Sequence, residues 1–104
     1  MSEFMTGEIL FTPKLLRLAG EHKAFSNFLM KSLNRHKKVD SDSCNDDQEL
    51  NKAAVITGGR IFSSYNVPSE LLDIADSDKV WIITEGEDND AVRKCTTLLY
   101  PSEY

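Results

Sequence analysis

Cysteine, proline and glycine are scarce in this chain, and long apolar runs are missing. Two cysteines, Cys44 and Cys95, in 104 residues cannot supply a zinc site or a disulfide framework, both of which need several thiols at short spacing. Free thiols in a reducing compartment are the expectation, and a Cys44–Cys95 bridge needs a fold that brings the two together. Three prolines and five glycines exclude a collagen-like or low-complexity chain. No apolar stretch approaches the ~20 residues that a membrane span requires, and the first residues lack the basic-then-apolar order of a secretory signal. The cytoplasm is the expected compartment, with no membrane partner. No G-x-S-x-G, Walker or G-x-G-x-x-G pattern occurs, so the usual signatures of an activated nucleophile or a phosphate cradle are missing too. No cofactor is expected.

The composition that remains is 40% hydrophobic, 9% aromatic and 28% charged, ordinary for a soluble globular domain. The length suits a single domain spanning 1–104, roughly two-thirds of whose unfolded surface can be buried on folding. Its net charge of −5 is unevenly spread. Residues 1–38 carry seven Lys/Arg against three acids, a net +4, and residues 39–104 carry five against fourteen, a net −9. That division argues against whole-surface nucleic-acid binding, while permitting a local basic patch or an acidic face that meets a basic partner.

The pattern along the chain divides into a helical part, about 12–58, and a β part, about 59–104. Glu8-Ile9-Leu10-Phe11 is too short to classify. Thr12-Pro13 predicts a helix start, with the hydroxyl as cap, and Gly20 predicts its left-handed stop. Phe25, Phe28, Leu29 and Leu33 fall on one face of a second helix from Lys23 to His36. Residues 39–47 are acidic and short of apolar anchors, so a linker is expected there, mobile over 40–45. A third helix, capped near Asp46 or Asp47, would bury Leu50, Ala53, Ala54 and Val55 and end at Gly58-Gly59. Ile61, Ser63, Tyr65 and Val67 alternate onto one strand face. Residues 79–85 read as a central strand, because Val80, Trp81, Ile82 and Ile83 make both faces apolar. Residues 95–100 form a third β run, and Pro68 to Ala75 would hold one or two helical turns. The class is α+β: an antiparallel meander of three strands, or four, in the C-terminal half, packed by the N-terminal helices. Its core should rest on Phe25, Phe28, Leu29, Trp81, Ile83 and Leu98.

Few residues suggest chemistry. Asp40, Asp42 and Asp46 fall at the spacing of a calcium loop. That loop needs an oxygen ligand, glycine and glutamate where the chain has Cys44, Asn45 and Asn51, so a solvated linker fits better. His22 and His36 lack partners at ligand spacing, so surface histidines and no metal are expected. Lys31, Arg35, His36, Lys37 and Lys38 form a basic cluster that suits the helix dipole and is also a candidate for nucleic acid or another anion. Glu85, Glu87, Asp88 and Asp90 form an acidic turn suited to a basic protein partner. Tyr104 either docks back or contacts that partner.

Several segments together resemble a known group. They are Gly7-Glu8-Ile9-Leu10-Phe11-Thr12-Pro13, Leu33-Asn34-Arg35-His36, Asn51-x-x-Ala54 leading to Gly58-Gly59-Arg60-Ile61-x-Ser63-x-Tyr65, Trp81-Ile82-Ile83-Thr84-Glu85, and Thr96 through Tyr104. The chain resembles small proteins of bacterial plasmids, phages and integrative elements, often labelled "type I restriction endonuclease subunit M" or "plasmid-related protein". It departs from them after Arg35-His36 and in longer connections at 68–78 and 86–94. The methyltransferase label finds no cofactor loop here. The resemblance implies a protein of a mobile element, from a group that mostly lacks an assigned function; a regulatory or anti-defence role is the concrete form expected once the acidic half and the missing chemistry are added. Taken with the acidic half, it gives as the first reading a non-enzymatic interaction protein whose acidic face binds a basic, nucleic-acid-handling protein. The alternative is a weak nucleic-acid module using the basic cluster. A third reading is a small nuclease or hydrolase using Glu85 and Arg60. Oligomeric state is not legible.

Overall fold

The computed structural model describes residues 4–104. Its elements, in chain order, are β1 (Glu8–Phe11), α1 (Pro13–Glu21), α2 (Lys23–Lys37), α3 (Asn45–Thr57), β2 (Ile61–Asn66), β3 (Lys79–Thr84) and β4 (Cys95–Leu99), with short 3-10 turns at Ser69–Leu71 and Pro101–Glu103. The strands form one sheet in the order β1-β4-β3-β2. Strands β2, β3 and β4 are the antiparallel meander. The fourth strand comes from the N-terminal segment too short to classify, and it lies parallel to β4. The class is α+β, and the sheet is mixed.

Side-chain alternation fixes which face is covered. Ile61, Ser63, Tyr65, Val80, Ile82, Thr84, Thr96 and Leu98 are all buried on the helix side. There Tyr65, Val80, Ile82 and Leu98 join Leu15, Phe25, Leu29 and Leu33 in the core. Phe28 only borders that core, and Trp81 is half-buried on the opposite face. The stretch 79–84 is apolar on both faces, so its sequence does not say which face the helices take. The opposite face is crossed instead by Pro101–Tyr104. Tyr104 docks back: its ring lies 5.8 Å from that of Trp81, which meets Phe62 at 4.9 Å.

The helix ends differ from expectation in detail. Pro13 opens α1, but the Thr12 hydroxyl donates to Glu103 Oε1 at 2.9 Å and caps nothing. Gly20 lies inside α1, which stops at the extended residue His22. The end of α2 is closed by hydrogen bonds from Val39 N–H to His36 O and from Asp40 N–H to Arg35 O. This Schellman-type stop requires a left-handed residue, and the chain supplies Val39 at φ 58°, a strained choice for a β-branched side chain. Its burial compensates.

Residues 40–43 are no free linker. Asp42 N–H donates to Ser64 O, Ser64 N–H to Ser43 Oγ, and Asn66 N–H to Asp42 Oδ2, while Tyr65 Oη–H donates to Asp40 O. The segment is laid along the outer edge of β2. The next stretch of that edge is held by α3, whose buried Asn51 accepts from Phe62 N–H and donates to Phe62 O. Asn51 and Ala54 anchor α3, while Leu50 stays 68% exposed and Ala53 is exposed. Gly58 ends the helix at φ 83°.

Candidate functional site

The connection from β3 to β4 is an ordered acidic loop. Asp88 N–H donates to Val92 O at 3.0 Å, and Asp88 Oδ1 accepts from Asp90 N–H at 2.9 Å and Val92 N–H at 3.0 Å. These donors hold the Asp88 carboxyl below its ordinary pKa. One of its oxygens therefore builds the loop. The turn closes through Ala91 at φ 59°. Glu87 N–H reaches back to Gly58 O at 2.7 Å, joining the loop to the end of α3.

Beneath the loop lies Arg93, 5% exposed. Its guanidinium donates to Gly59 O at 2.6 Å, Glu85 O at 3.2 Å and Ala54 O at 3.0 Å, and sits 5.6 Å from the Phe4 ring centroid. Among the described residues it forms no salt bridge. The carbonyls at the C-terminal end of α3, the negative pole of that helix, receive its charge instead. Arg93 thus locks three segments together while leaving the nearby carboxylates unneutralised. Glu85, Glu87, Asp88 and Asp90 are all exposed and none is ion-paired within the described residues.

Apolar surface flanks this loop on both sides. A hollow of about 410 Å³ opens between Phe4, Met5, Val55 and Val92, with Arg93 and Glu87 in its lining; Met5 and Val92 are exposed. On the far side, one step past the Ile61–Thr84 pair, Arg60 and Glu85 are neighbours on the second sheet face. Arg60 Nη2 donates to Tyr104 Oη at 2.6 Å, and its guanidinium lies 5.1 Å from that ring's centroid. Glu85, Tyr104 and Arg60 thus share one end of the sheet, but Arg60 is committed to the tyrosine.

The basic cluster is dispersed by the fold. Arg35 Nε donates to Asp40 Oδ2 at 2.8 Å, and Nη2 to Asp42 Oδ1 at 3.0 Å. The Asp40 bond, followed by Asp42, raises its pKa, and the guanidinium lies over the Tyr65 ring. Lys31 and Lys38 remain exposed and Lys37 partly so. His36, expected at the surface, is fully buried. The signal for burial is in the spacing: His36 continues the stripe of Phe25, Leu29 and Leu33 on one face of α2.

His36 belongs to a hydrogen-bonded chain whose direction can be deduced. Thr96 Oγ1–H donates to Thr6 O at 2.8 Å, an atom that can only accept. The Thr84 hydroxyl must then donate to Thr96 Oγ1, 2.7 Å away. His36 Nε2, at 2.8 Å, must in turn donate to Thr84 Oγ1. Nδ1 is left unprotonated and accepts from Ser63 Oγ–H at 2.7 Å. Burial pushes the imidazole pKa down to about 4. His36 and Ser63 have the contact of a base and a hydroxyl, but both are sealed from solvent and the imidazole is tied on both nitrogens. Their role is to join α2 to β2 and β3.

Cys44 is exposed, Cys95 is half-buried, and both are free thiols. Among the described residues no group of His, Cys, Asp and Glu could hold a metal ion, and no helix is long and apolar enough to cross a membrane. No family model, no curated protein and no solved structure matches this chain.

Proposed function

We propose that this chain is a non-enzymatic binding protein of a mobile genetic element, in a regulatory or anti-defence role, whose acidic β3–β4 end docks a basic, nucleic-acid-handling protein. The observation that carries the reading is the loop at 85–92: exposed carboxylates with no salt bridge among the described residues, anchored at its base by Arg93. A pre-ordered loop loses little conformational entropy on docking. Unpaired surface charge of one sign steers a complementary partner and sets its orientation. The apolar hollow beside Met5 and Val92 and the Tyr104–Trp81 pair supply surface to bury on either side of the charge, as a specific interface requires. The basic cluster offers a nucleic acid much less, with Arg35 neutralised by Asp40 and Asp42 and His36 withdrawn into the core.

The test compares the wild-type chain with a variant carrying Glu85→Lys, Glu87→Lys and Asp90→Lys, Asp88 being kept because it builds the loop. Both are immobilised, exposed to an extract of the native host, and the retained proteins identified by mass spectrometry. A basic protein should be retained by the wild type alone. Its association with the purified wild type should slow steeply with added salt, and the variant should lose that dependence. Identical capture by both chains, or salt-resistant sub-micromolar binding of duplex DNA, would overturn the reading.

A further inference from the structure

The two edges of the sheet are finished in opposite ways. On β2, the outward N–H groups of Phe62, Ser64 and Asn66 are met by Asn51, Ser43 and Asp42, and the outward carbonyls of Phe62 and Ser64 by the Asn51 amide and Asp42 N–H. That edge is closed. On β1, Glu8 N–H donates to Lys94 O at 3.0 Å and Thr12 N–H to Leu98 O at 3.1 Å, which turns the even-numbered residues toward β4. Hydrogen bonding alternates along a parallel strand, so the N–H and C=O of Ile9 and Phe11 point away from the sheet. Among the described residues no hydrogen bond reaches them. Natural sheets usually blunt such an edge with proline, lysine, a bulge or a cover. Glu8–Phe11 is guarded only by its shortness and by Glu8; it contains neither proline nor lysine, is paired without a bulge, and leaves Leu10 39% exposed.

We propose that β1 pairs antiparallel with β1 of a second copy of this chain, on a two-fold axis through Leu10, giving one continuous sheet in the order β2-β3-β4-β1-β1-β4-β3-β2. The register follows from the backbone. With Leu10 on the axis, Ile9 faces the second copy's Phe11, and every outward N–H of both strands meets an outward carbonyl. Centring the pair on Phe11 would set Ile9 against Pro13, which has no N–H. Centring it on Ile9 would set Phe11 against Gly7, whose φ of 64° takes it out of the strand. Only the Leu10 register uses the whole edge. It also suits the side chains: Leu10 packs on its own mate on the second sheet face, Ile9 on Phe11 on the helix face, and Glu8 faces Thr12, so no like charges meet. A self-complementary patch of this kind is what a two-fold dimer requires. The inference is independent of the acidic-end reading.

Sedimentation equilibrium of the full chain over a wide concentration range, with Leu10→Glu and Leu10→Lys variants, tests it. An interface this small belongs to the weak class, so the wild-type mass should climb with concentration from 11.7 kDa toward twice that value. L10E and L10K should each remain monomeric, because residue 10 then meets its own charge, and an equimolar mixture should associate again. Amide exchange reads the register separately: Ile9 and Phe11 N–H should gain protection with concentration, while Leu10 N–H, already bonded to β4, should not. A wild type that stays monomeric throughout, association that survives either charge, or protection centred elsewhere would overturn the proposal.

Discussion

The C-terminal end of α2 and the β3–β4 loop are the two conspicuous charge clusters of this chain, one basic and one acidic, and the fold treats them oppositely. At the end of α2 the charges are consumed. Arg35 is bound by Asp40 and Asp42, His36 is buried against Ser63 and Thr84, and three lysines are left. At the β3–β4 connection the buried cation, Arg93, is spent on backbone carbonyls, the exposed Lys94 forms no salt bridge among the described residues, and neither do the four carboxylates. The difference arises because residues 40–42 return along β2 beside Arg35, whereas the arginines nearest the loop among the described residues, Arg93 and Arg60, are bound to backbone carbonyls and to Tyr104. A charge run in a sequence becomes a surface or a staple according to what the topology places next to it.

The sharpest way to break this comparison is at His36. His36→Ala should cost about 3–5 kcal/mol, because it opens a cavity, takes the acceptor from the buried Ser63 hydroxyl and removes one of the two partners of Thr84 Oγ1, while Lys31, Lys37 and Lys38→Ala should each stay within about 0.5 kcal/mol. Denaturant unfolding of the set would show it, and a tolerant His36→Ala would refute the buried chain.

The same residue should make folding pH-dependent. Its folded pKa of about 4 lies below the ordinary 6.5, so the native state prefers the neutral ring. That contribution is whole above about pH 6.5 and is lost as pH falls toward 4, by about 3 kcal/mol in all. Chemical denaturation across that window should show a slope that His36→Gln removes. An equal slope in both chains would contradict it.

Arg93→Met should cost about 2–3 kcal/mol, since it takes the guanidinium donor from the carbonyls of Gly59 and Glu85 and one of three donors from that of Ala54. Amide exchange over residues 86–92 should quicken at the same time. The smallest stability effect belongs to Glu85→Lys, Glu87→Lys and Asp90→Lys together. They break no ion pair among the described residues, and stability should change by no more than about 0.5 kcal/mol. A large loss there would mean that these carboxylates are structural.

Much of the fold is legible from periodicity. Alternation from Ile61 to Val67 and the apolar run at Val80–Ile83 locate β2 and β3, and the stripe of Phe25, Leu29 and Leu33 locates α2. Strand β1 is illegible because four residues hold too little pattern, and its partner lies more than eighty residues away. The segment at 40–43 misleads because its bonds to β2 run through backbone and short polar side chains, which carry no hydropathy signal. Trp81 misleads because apolarity on two faces cannot say which is covered. In the candidate site the four acids and Tyr104 were visible in the sequence. Arg93, which orders the loop, was not, because nothing local marks a cation for burial.

The central claim is that the acidic end is presented for binding and the basic end is not, and an amide-resolved NMR titration of the full chain reads both ends at once. The probes are a lysine- and arginine-rich peptide and, separately, a short duplex DNA, each at physiological salt. The account predicts peptide-induced shifts at 85–92 that extend to Arg60, Trp81 and Tyr104, with DNA leaving residues 31–38 unmoved. Saturable DNA-induced shifts at Lys31, Lys37 and Lys38, with a silent acidic loop, would contradict it.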